Sequence, residues 1–297
     1  MKKIKSIFFK SNLLIRLIYI NIAVFLAVNL LDIFYFLFNF KSAQNFIIEY
    51  FSVPSSINKL LFRIWTPISY MFLHEDFLHI LFNMLWLYWF GKIFLHLFDE
   101  KKLLTVYIYS GLSGAFLYIL SFNIFPVFHE TLIFSRALGA SASVLGIVIA
   151  SAIYRPNISL RFLFIGDIKI KYIAIFSVLL DILRINSENS GGHIAHLGGA
   201  IFAYFFIKKL EKGEDISVKF NLFFDKFLYF FIKKTSFKGS KNRDFKYSKN
   251  KDFNSFSQDN LELNEKNIDK ILDKIKETGY TSLNKKEKEL LFKMKNN

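Results

Sequence analysis

The sequence predicts an all-α protein, a polytopic membrane bundle of six transmembrane helices followed by a cytoplasmic helical tail. Hydrophobic residues make up 53% of the 297 residues, above the usual share for a soluble domain. Several apolar runs reach the roughly 20 residues that are needed to cross a bilayer. Basic residues mark alternate connections between these runs, which is the pattern of a multi-pass protein with a fixed orientation.

The six predicted spans begin after a basic N-terminal segment that contains Lys2, Lys3 and Lys5. This start resembles that of a signal peptide, but the apolar run is long and no small-residue cleavage site follows, so we expect a retained span. An even number of spans then places both termini in the cytoplasm, and we expect a bacterial inner (cell) membrane. The predicted spans are about 13–38, 75–94, 103–122, 139–154, 172–183 and 193–207.

Four regions follow from this pattern. Residues 1–210 form the six-helix membrane domain, with a long outer loop at 39–64 and a polar loop at 184–192. Residues 211–234 carry Phe at helical spacing beside charges, which indicates an amphipathic segment in the membrane interface. Residues 235–260 have the composition of a flexible linker. Residues 261–297 predict a small cytoplasmic helical hairpin.

The net charge of +15 is explained by the membrane, because Lys and Arg lie at the ends of apolar segments and in the tail. We therefore expect membrane lipids as partners and no nucleic acid. The absence of Cys excludes disulfides and thiolate metal sites. No phosphate-binding glycine loop is present, and the sequence predicts no cofactor.

Two strips of small residues predict a close contact between the fourth and sixth spans. On the sixth span, His196 heads the strip Gly199, Ala200 and Ala203 at helical spacing. The fourth span offers a matching strip at 139–150, headed by Ser141. A serine that faces a histidine across two packed helices indicates a nucleophile and its base.

Ser141 and His196 each have a less specific explanation. Serine is common in membrane helices as a hydrogen-bonding group between helices, and a buried imidazole can simply bind a carbonyl. Ser141, however, begins a span, where unpaired amides could stabilise an oxyanion. Ser143 would face nearly the opposite side of the helix, and His193 lies one turn earlier, nearer the surface. We prefer Ser141 for its place at the start of a span. We prefer His196 because an ionisable group within a span usually has a function.

His79 and Asn83 lie four residues apart on one face of the second span, where two side-chain donors could form an oxyanion hole. A zincin pair is excluded, because His74 and His79 are five residues apart and not four. A metal bound by His74, His79, His193 and His196 stays open as an alternative, although we expect no metal. No acidic residue has an evident place beside the base. Asp181 is the only nearby acid in a span, so the sequence predicts a Ser–His dyad.

Taken together, these motifs closely resemble those of the rhomboid intramembrane serine proteases. The resemblance covers about residues 13–210 and depends on three motifs in the right order. These are His74, His79 and Asn83 around the second span, Gly139–Ser141 at the start of the fourth, and Ala195–Gly199 on the sixth.

The resemblance implies that Ser141 is the nucleophile and His196 the base. It also implies an oxyanion hole formed by His79, Asn83 and the Ser141 amide, with His74 lining the same cavity. Such enzymes cut transmembrane proteins near the outer membrane surface. The implied function is that of an intramembrane serine endopeptidase acting through an acyl-enzyme.

Several positions depart from the family pattern. Ala142 replaces a glycine and is expected to add a methyl group beside the oxyanion site. Leu145 stands where many members carry a tyrosine that stacks on the histidine. Arg63 and Trp65 are separated by one residue where the family often has an adjacent pair, and Ala203 replaces a frequent glycine.

Two other classes of function could use the same polar residues. A transporter or channel would need a path to the cytoplasmic side, and the helices below Ser141 are predicted to be apolar and tightly packed. A non-catalytic protein that binds membrane helices would need the cavity but no reactive serine. Labelling by a fluorophosphonate separates both from a protease.

Overall fold

Long apolar helices dominate the part of the chain that the computed structural model describes, which is residues 11–40, 42–162, 166–218, 220–222 and 273–274. The helices are α1 (Leu13–Leu37), α2 (Ala43–Phe51), α3 (Ile57–Leu61), α4 (Thr66–Ser69), α5 (Phe77–Leu97), α6 (Glu100–Ile124), α7 (Ser141–Tyr154), α8 (Ile170–Leu183) and α9 (Ser190–Glu211). Short 3₁₀ helices lie at Tyr70–Phe72 and Pro126–Phe128. The strands are β1 (Val53–Pro54), β2 (Arg136–Ala137), β3 (Ser159–Phe162) and β4 (Gly166–Lys169).

Each of the six predicted spans falls on one of the long helices, α1 and α5 to α9. By length and composition, α1, α5 and α6 can cross a membrane, and α7 is a shorter apolar helix of 14 residues. The last of these helices, Ser190–Glu211, extends beyond the predicted 193–207 at both ends. It begins at Ser190, before the expected His193, because the Asn189 side chain accepts a hydrogen bond from the Gly192 amide and caps it.

Side-chain caps explain where most of the long helices begin. Asn12, Asp76 and Asp99 accept hydrogen bonds from the backbone amides of Ile15, His79 and Lys102 at 2.8–3.0 Å. In contrast, α7 begins at Ser141 without a side-chain cap, since the preceding residue is Ala140. Within the described chain, its first-turn amides are therefore not occupied by a capping side chain, which leaves them for another acceptor.

Three glycines and an alanine bring α6, α7 and α9 into backbone contact. A Cβ added to Gly199 of α9 would overlap the carbonyl of Ala142 on α7. A Cβ added to Gly198 would lie 2.5 Å from the Ser113 carbonyl, and one added to Gly114 would lie 2.7 Å from the Ala195 carbonyl. The prediction that small residues pack these helices closely is confirmed.

The segment at 39–64 differs from the expected loop. Two short helices, α2 and α3, occupy it, and the Ser42 side chain caps the first by accepting from the Asn45 amide. The strand β1 then pairs antiparallel with β2, so that Val53 lies opposite Ala137. A second antiparallel pair, β3 with β4, was also not predicted. The strands and α3 have two to five residues and α2 has nine, which is too short for a clear periodic pattern in sequence.

An ion-pair cluster joins the start of α6 to the segment after α9. Lys102 Nζ lies 2.8 Å from Asp99 Oδ2 and 3.0 Å from Asp215 Oδ2. Partial burial raises the pKa of Asp215, but hydrogen bonds from Ser217 and the Lys102 ammonium outweigh it. The pKa of the Asp215 carboxyl is therefore lowered from its ordinary value of 3.8.

We predict that Asp215→Asn lowers the stability of the detergent-solubilised protein by up to about 1 kcal/mol at neutral pH. Because the folded-state pKa of Asp215 is lowered, this stabilisation is complete above pH 3.8 and is lost as the pH falls below it. Thermal unfolding from pH 7 to pH 3 should show the two curves converging. Asp167→Asn, on the exposed β4 strand, is the matched control; a pH-independent difference for Asp215→Asn would contradict the prediction.

The chain divides into two compact units, residues 1–235 and 236–297. Of the second unit, only Asp273 and Lys274 are described, and both are helical. The predicted linker at 235–260 and the hairpin at 261–297 otherwise lie outside the described residues, as does most of the interfacial segment at 211–234.

Candidate active site

The peptide that leads into α7 is held in a fixed conformation beside α5. The amide of Gly139 donates to the Tyr70 carbonyl at 2.9 Å, and the pairing of β1 with β2 ends two residues earlier at Ala137. Gly139 has φ of +119°, which favours glycine. A Cβ there would also lie 2.7 Å from His79 Nε2. This turn therefore requires Gly139, and it presents Ser141 as the first residue of the helix.

The structure brings Ser141 and His196 into contact. His196 Nε2 lies 2.7 Å from Ser141 Oγ, although the residues are 55 positions apart. The close approach of Gly199 to the Ala142 carbonyl allows this distance, because it brings the two helix backbones together just below. Ser143 points elsewhere, since its buried hydroxyl lies 2.7 Å from the position of a Cβ on Gly111 of α6.

Asp181 completes a chain of contacts that the predicted dyad did not include. Its Oδ1 lies 2.9 Å from His196 Nδ1 and 2.8 Å from His193 Nδ1. Asp181 is buried, near the end of α8, and the short connection to α9 brings it to the depth of the imidazoles. The sequence signal for Asp181 was an acidic residue within a span, near the same side of the membrane as His196. Sequence spacing alone could not show that its side chain points toward the imidazole.

His79 and Asn83 lie on the facing helix, α5, as their spacing predicted. Asn83 is buried, and its Nδ2 donates to the His79 carbonyl at 2.9 Å. A Cβ added to Gly139 would lie 2.7 Å from His79 Nε2 and 3.6 Å from Ser141 Oγ. The His79 ring and the serine hydroxyl therefore border one small space at the start of α7.

A cavity of about 340 Å³ opens onto Ser141, His196 and Asn83, and His79 is not among its lining residues. The lining residues are Phe82, Asn83 and Trp86 on α5; Ser141, Val144 and Leu145 on α7; Ser177, Leu180 and Asp181 on α8, with Arg184 just after it; and His193 and His196 on α9. The cavity thus lies between α5 and α8, with the serine and the histidine in its wall.

His74 was expected to line this cavity, and it is not part of the lining. It lies in the loop before α5, only 4% exposed, with its ring centroid 5.1 Å from that of His79. Burial, together with the neighbouring His79, lowers the pKa of His74 to about 4. His74 is therefore a neutral ring at neutral pH that packs behind His79.

Comparison with known proteins identifies the family of the chain. The family model of the rhomboid domain matches residues 61–211, which is half of the chain and includes each of the residues described above. The chain belongs to the rhomboid family. This family contains intramembrane serine proteases and pseudoproteases, and the chain is a multi-pass membrane protein.

One curated relative is the RHOMBOID-like protein 12, mitochondrial, of Arabidopsis thaliana. It is 31% identical over 160 residues, which cover 51% of this chain and 48% of the relative. The chain therefore spans about half the length of that protein. A second family model, for a family of unknown function (DUF6576), matches residues 257–293 of the tail.

The positions at which this rhomboid departs from the family pattern have clear surroundings. The methyl group of Ala142 points at Gly114 on α6 and not toward the expected oxyanion site. A Cβ added to Gly114 would lie 2.8 Å from this methyl group. Leu145 lines the cavity with an apolar side chain. Ala203 is fully buried, so its methyl group fits within the close helix contact.

Arg63 and Trp65 tie the start of α4 to α2 in this rhomboid. Arg63 lies 2.9 Å from Glu49 Oε1, and Trp65 Nε1 donates to the Tyr50 carbonyl at 3.0 Å. Burial raises the pKa of Glu49, but Arg63, Lys59 and other cations outweigh it and lower the pKa from 4.5. Both side chains therefore bind α2, although they are not adjacent in sequence.

The potential metal-ligand atoms of Asp181, His193 and His196 lie within 4.8 Å of one another, which is close enough for all three to bind one metal ion. This group differs from the alternative that the sequence left open, because it contains Asp181 and neither His74 nor His79. The distances of 2.8 and 2.9 Å from a single carboxylate oxygen to two ring nitrogens are those of hydrogen bonds. Hydrogen bonding therefore accounts for the arrangement.

Proposed function

We propose that this rhomboid is an active intramembrane serine endopeptidase that cleaves transmembrane proteins near the outer membrane surface. The observation that carries the proposal is the 2.7 Å contact between His196 Nε2 and Ser141 Oγ in the wall of a cavity. A hydroxyl needs a base at this distance to become a nucleophile. All the groups required for serine hydrolysis are present, which favours a protease over a pseudoprotease.

The reaction begins when Ser141 Oγ attacks the scissile carbonyl carbon while its proton passes to His196 Nε2. Donors from Asn83, His79 and the Ser141 amide stabilise the oxyanion. Collapse breaks the C–N bond, and His196 gives its proton to the leaving amine. Water then attacks the acyl-enzyme with His196 as base, which releases the acid product and restores Ser141.

The uncapped start of α7 supports the oxyanion site. Amides of the first helical turn have no partner within the helix, and no described side chain caps this one. Asn83 contributes from the opposite helix and lines the same cavity. An oxyanion that forms next to Ser141 would therefore meet a backbone donor on one side and a side-chain amide on the other.

We predict that Asn83→Ala lowers kcat by about 100-fold, because it removes one oxyanion donor. Asn29→Ala is a matched control, since Asn29 also donates to the carbonyl four residues earlier, that of Phe25, at 2.9 Å in α1. Steady-state cleavage of a detergent-solubilised substrate measures both. Equal losses in the two variants would show that Asn83 acts only on helix stability.

Substrates should be single-pass membrane proteins whose helices unwind readily near the cut. A helical carbonyl is already hydrogen-bonded, so Gly, Pro or polar residues near the cleavage site favour attack. A small residue directly before the cut is expected. Equal cleavage of uniformly Leu-rich helices would contradict this preference.

The basic residues support an orientation with both termini in the cytoplasm and six crossings of the membrane. Arg155, Arg161 and Lys169 lie between α7 and α8, and Lys171 lies in the first turn of α8. Lys208 and Lys209 lie in the last turn of α9, and Lys212 directly follows it. The charge pattern supports this orientation only, so residence in a bacterial inner membrane stays a prediction from sequence. The plant relative is, by its name, a mitochondrial protein.

The rival classes predict different chemistry at the same cavity. A transporter needs a polar path through the bundle, but Ile147, Ala150 and Ala203 below Ser141 are completely buried and apolar. A helix-binding protein needs no nucleophile. Co-expression with a panel of single-pass membrane proteins tests the proposal: wild type should cleave some members, and Ser141→Ala and His196→Ala should cleave none. Identical fragments from all three proteins would refute it.

A further inference from the structure

We infer that Asp181 is a positioning residue, which holds the His196 imidazole in the tautomer and orientation that proton transfer from Ser141 requires. This inference deepens the proposed function and rests on it. It replaces the expected dyad by a linear chain of Ser141, His196 and Asp181. Asp181 acts through the imidazole, because its Oδ1 contacts His196 Nδ1 and not the serine.

The two ring nitrogens of His196 have different partners on opposite sides. Nε2 lies 2.7 Å from the serine Oγ, and Nδ1 lies 2.9 Å from the carboxylate Oδ1 of Asp181. A neutral imidazole carries one N–H, and a carboxylate can only accept. The proton therefore belongs on Nδ1, and the Nε2 lone pair is left facing the hydroxyl.

The carboxylate is itself held in place by a second imidazole. His193 Nδ1 lies 2.8 Å from the same Oδ1, and the His193 and His196 ring centroids are 5.9 Å apart. Asp181 is only 6% exposed, and a buried charge is tolerated when it is hydrogen-bonded. Two donors that converge from adjacent turns of α9 therefore fix the position of one acceptor at the end of α8.

Charged and titratable groups reach His196 from each neighbouring helix. They are His79 on α5, Asp181 on α8 with Arg184 at its end, and His193 on the same helix. Asp181 is the one anion among these described groups, so it favours the imidazolium that forms during attack. Removing its charge makes the imidazolium harder to form.

Asp181→Asn keeps the size of the side chain and removes the charge. We expect kcat to fall about 100-fold with KM nearly unchanged, because the base is misoriented while the cavity persists. The acidic limb of the kcat profile should also move by about one pH unit toward lower pH. Asp181→Glu, which keeps the carboxylate, should recover the wild-type limb.

Asp32→Asn is the matched control, because it makes the same change in α1, where Asp32 accepts from Ser42 and the Gln44 amide. It should leave kcat and the pH profile unchanged. An unshifted acidic limb in Asp181→Asn, or equal losses in the two variants, would overturn the inference. Activity that disappears with a chelator and returns with zinc would also overturn it, since the three side chains would then bind a metal.

A second measurement needs no Asp181 variant and so does not depend on its folding. In the wild-type protein labelled with ¹⁵N-histidine, His196 should carry its proton on Nδ1 near neutral pH, with assignment by comparison with His196→Ala. A proton on Nε2 would overturn the inference. The proposed function fails separately: cleavage that survives Ser141→Ala refutes it, whereas wild-type kinetics in Asp181→Asn refute only the role of Asp181.

Discussion

Replacing Ser141 by alanine is expected to lower the rate of substrate cleavage by about 10⁴-fold or more, with no loss of folded protein. The substitution removes one oxygen atom from the cavity wall and leaves the helix contact through Gly199 intact. Initial rates with one purified substrate in detergent measure the loss. Thermal unfolding provides the control for folding.

The same prediction extends to the pair of residues. Because Ser141 and His196 act as one unit, Ser141→Ala, His196→Ala and the double variant should have nearly the same residual rate. Ser143→Ala is the matched control, since its hydroxyl points at α6. Additive losses in the double variant, or a loss in Ser143→Ala as large as in Ser141→Ala, would contradict the assignment of the nucleophile.

The second large effect is expected from Gly199→Val. Even the first carbon of the new side chain would overlap the Ala142 carbonyl, which is backbone and cannot rotate away. The helices α7 and α9 must then separate, and the 2.7 Å contact between Ser141 and His196 is lost with them. We predict loss of cleavage together with a fall in stability of about 3 kcal/mol.

Ile201→Val tests the same helix on its outward face, where Ile201 is 48% exposed. It should change neither activity nor the unfolding temperature appreciably. Wild-type cleavage by Gly199→Val would show that the two helix backbones are not held at the distance described here. Activity and stability are measured on the same preparations, so that both effects can be compared.

Much of the membrane core could be predicted from sequence, because hydrophobicity and small-residue spacing are local signals. The strip below His196 predicted its contact with the fourth span, and the structure confirms that Gly199 lies against Ala142. The spacing of His79 and Asn83 similarly predicted a shared face. These features depend on helical geometry alone.

The remaining features depend on how separate segments meet. The position of Asp181 between two imidazoles follows from the path of the chain between α8 and α9. Hydrophobic periodicity in the sequence does not predict that path. The Ala142 methyl was expected near the oxyanion site and points at Gly114, because the direction of a side chain depends on helix rotation. The two strand pairs and the short helices α2 and α3 contain too few residues for a periodic pattern.

The most direct test of the central claim is labelling by a fluorophosphonate in membranes that contain the intact protein, with the modified residue located by mass spectrometry. A serine activated by a neighbouring imidazole reacts with such a probe, and an ordinary membrane serine does not. The account predicts that wild type is labelled at Ser141 and that His196→Ala reduces the labelling rate strongly. Absence of label from folded wild type, or label at Ser143 instead, would contradict it.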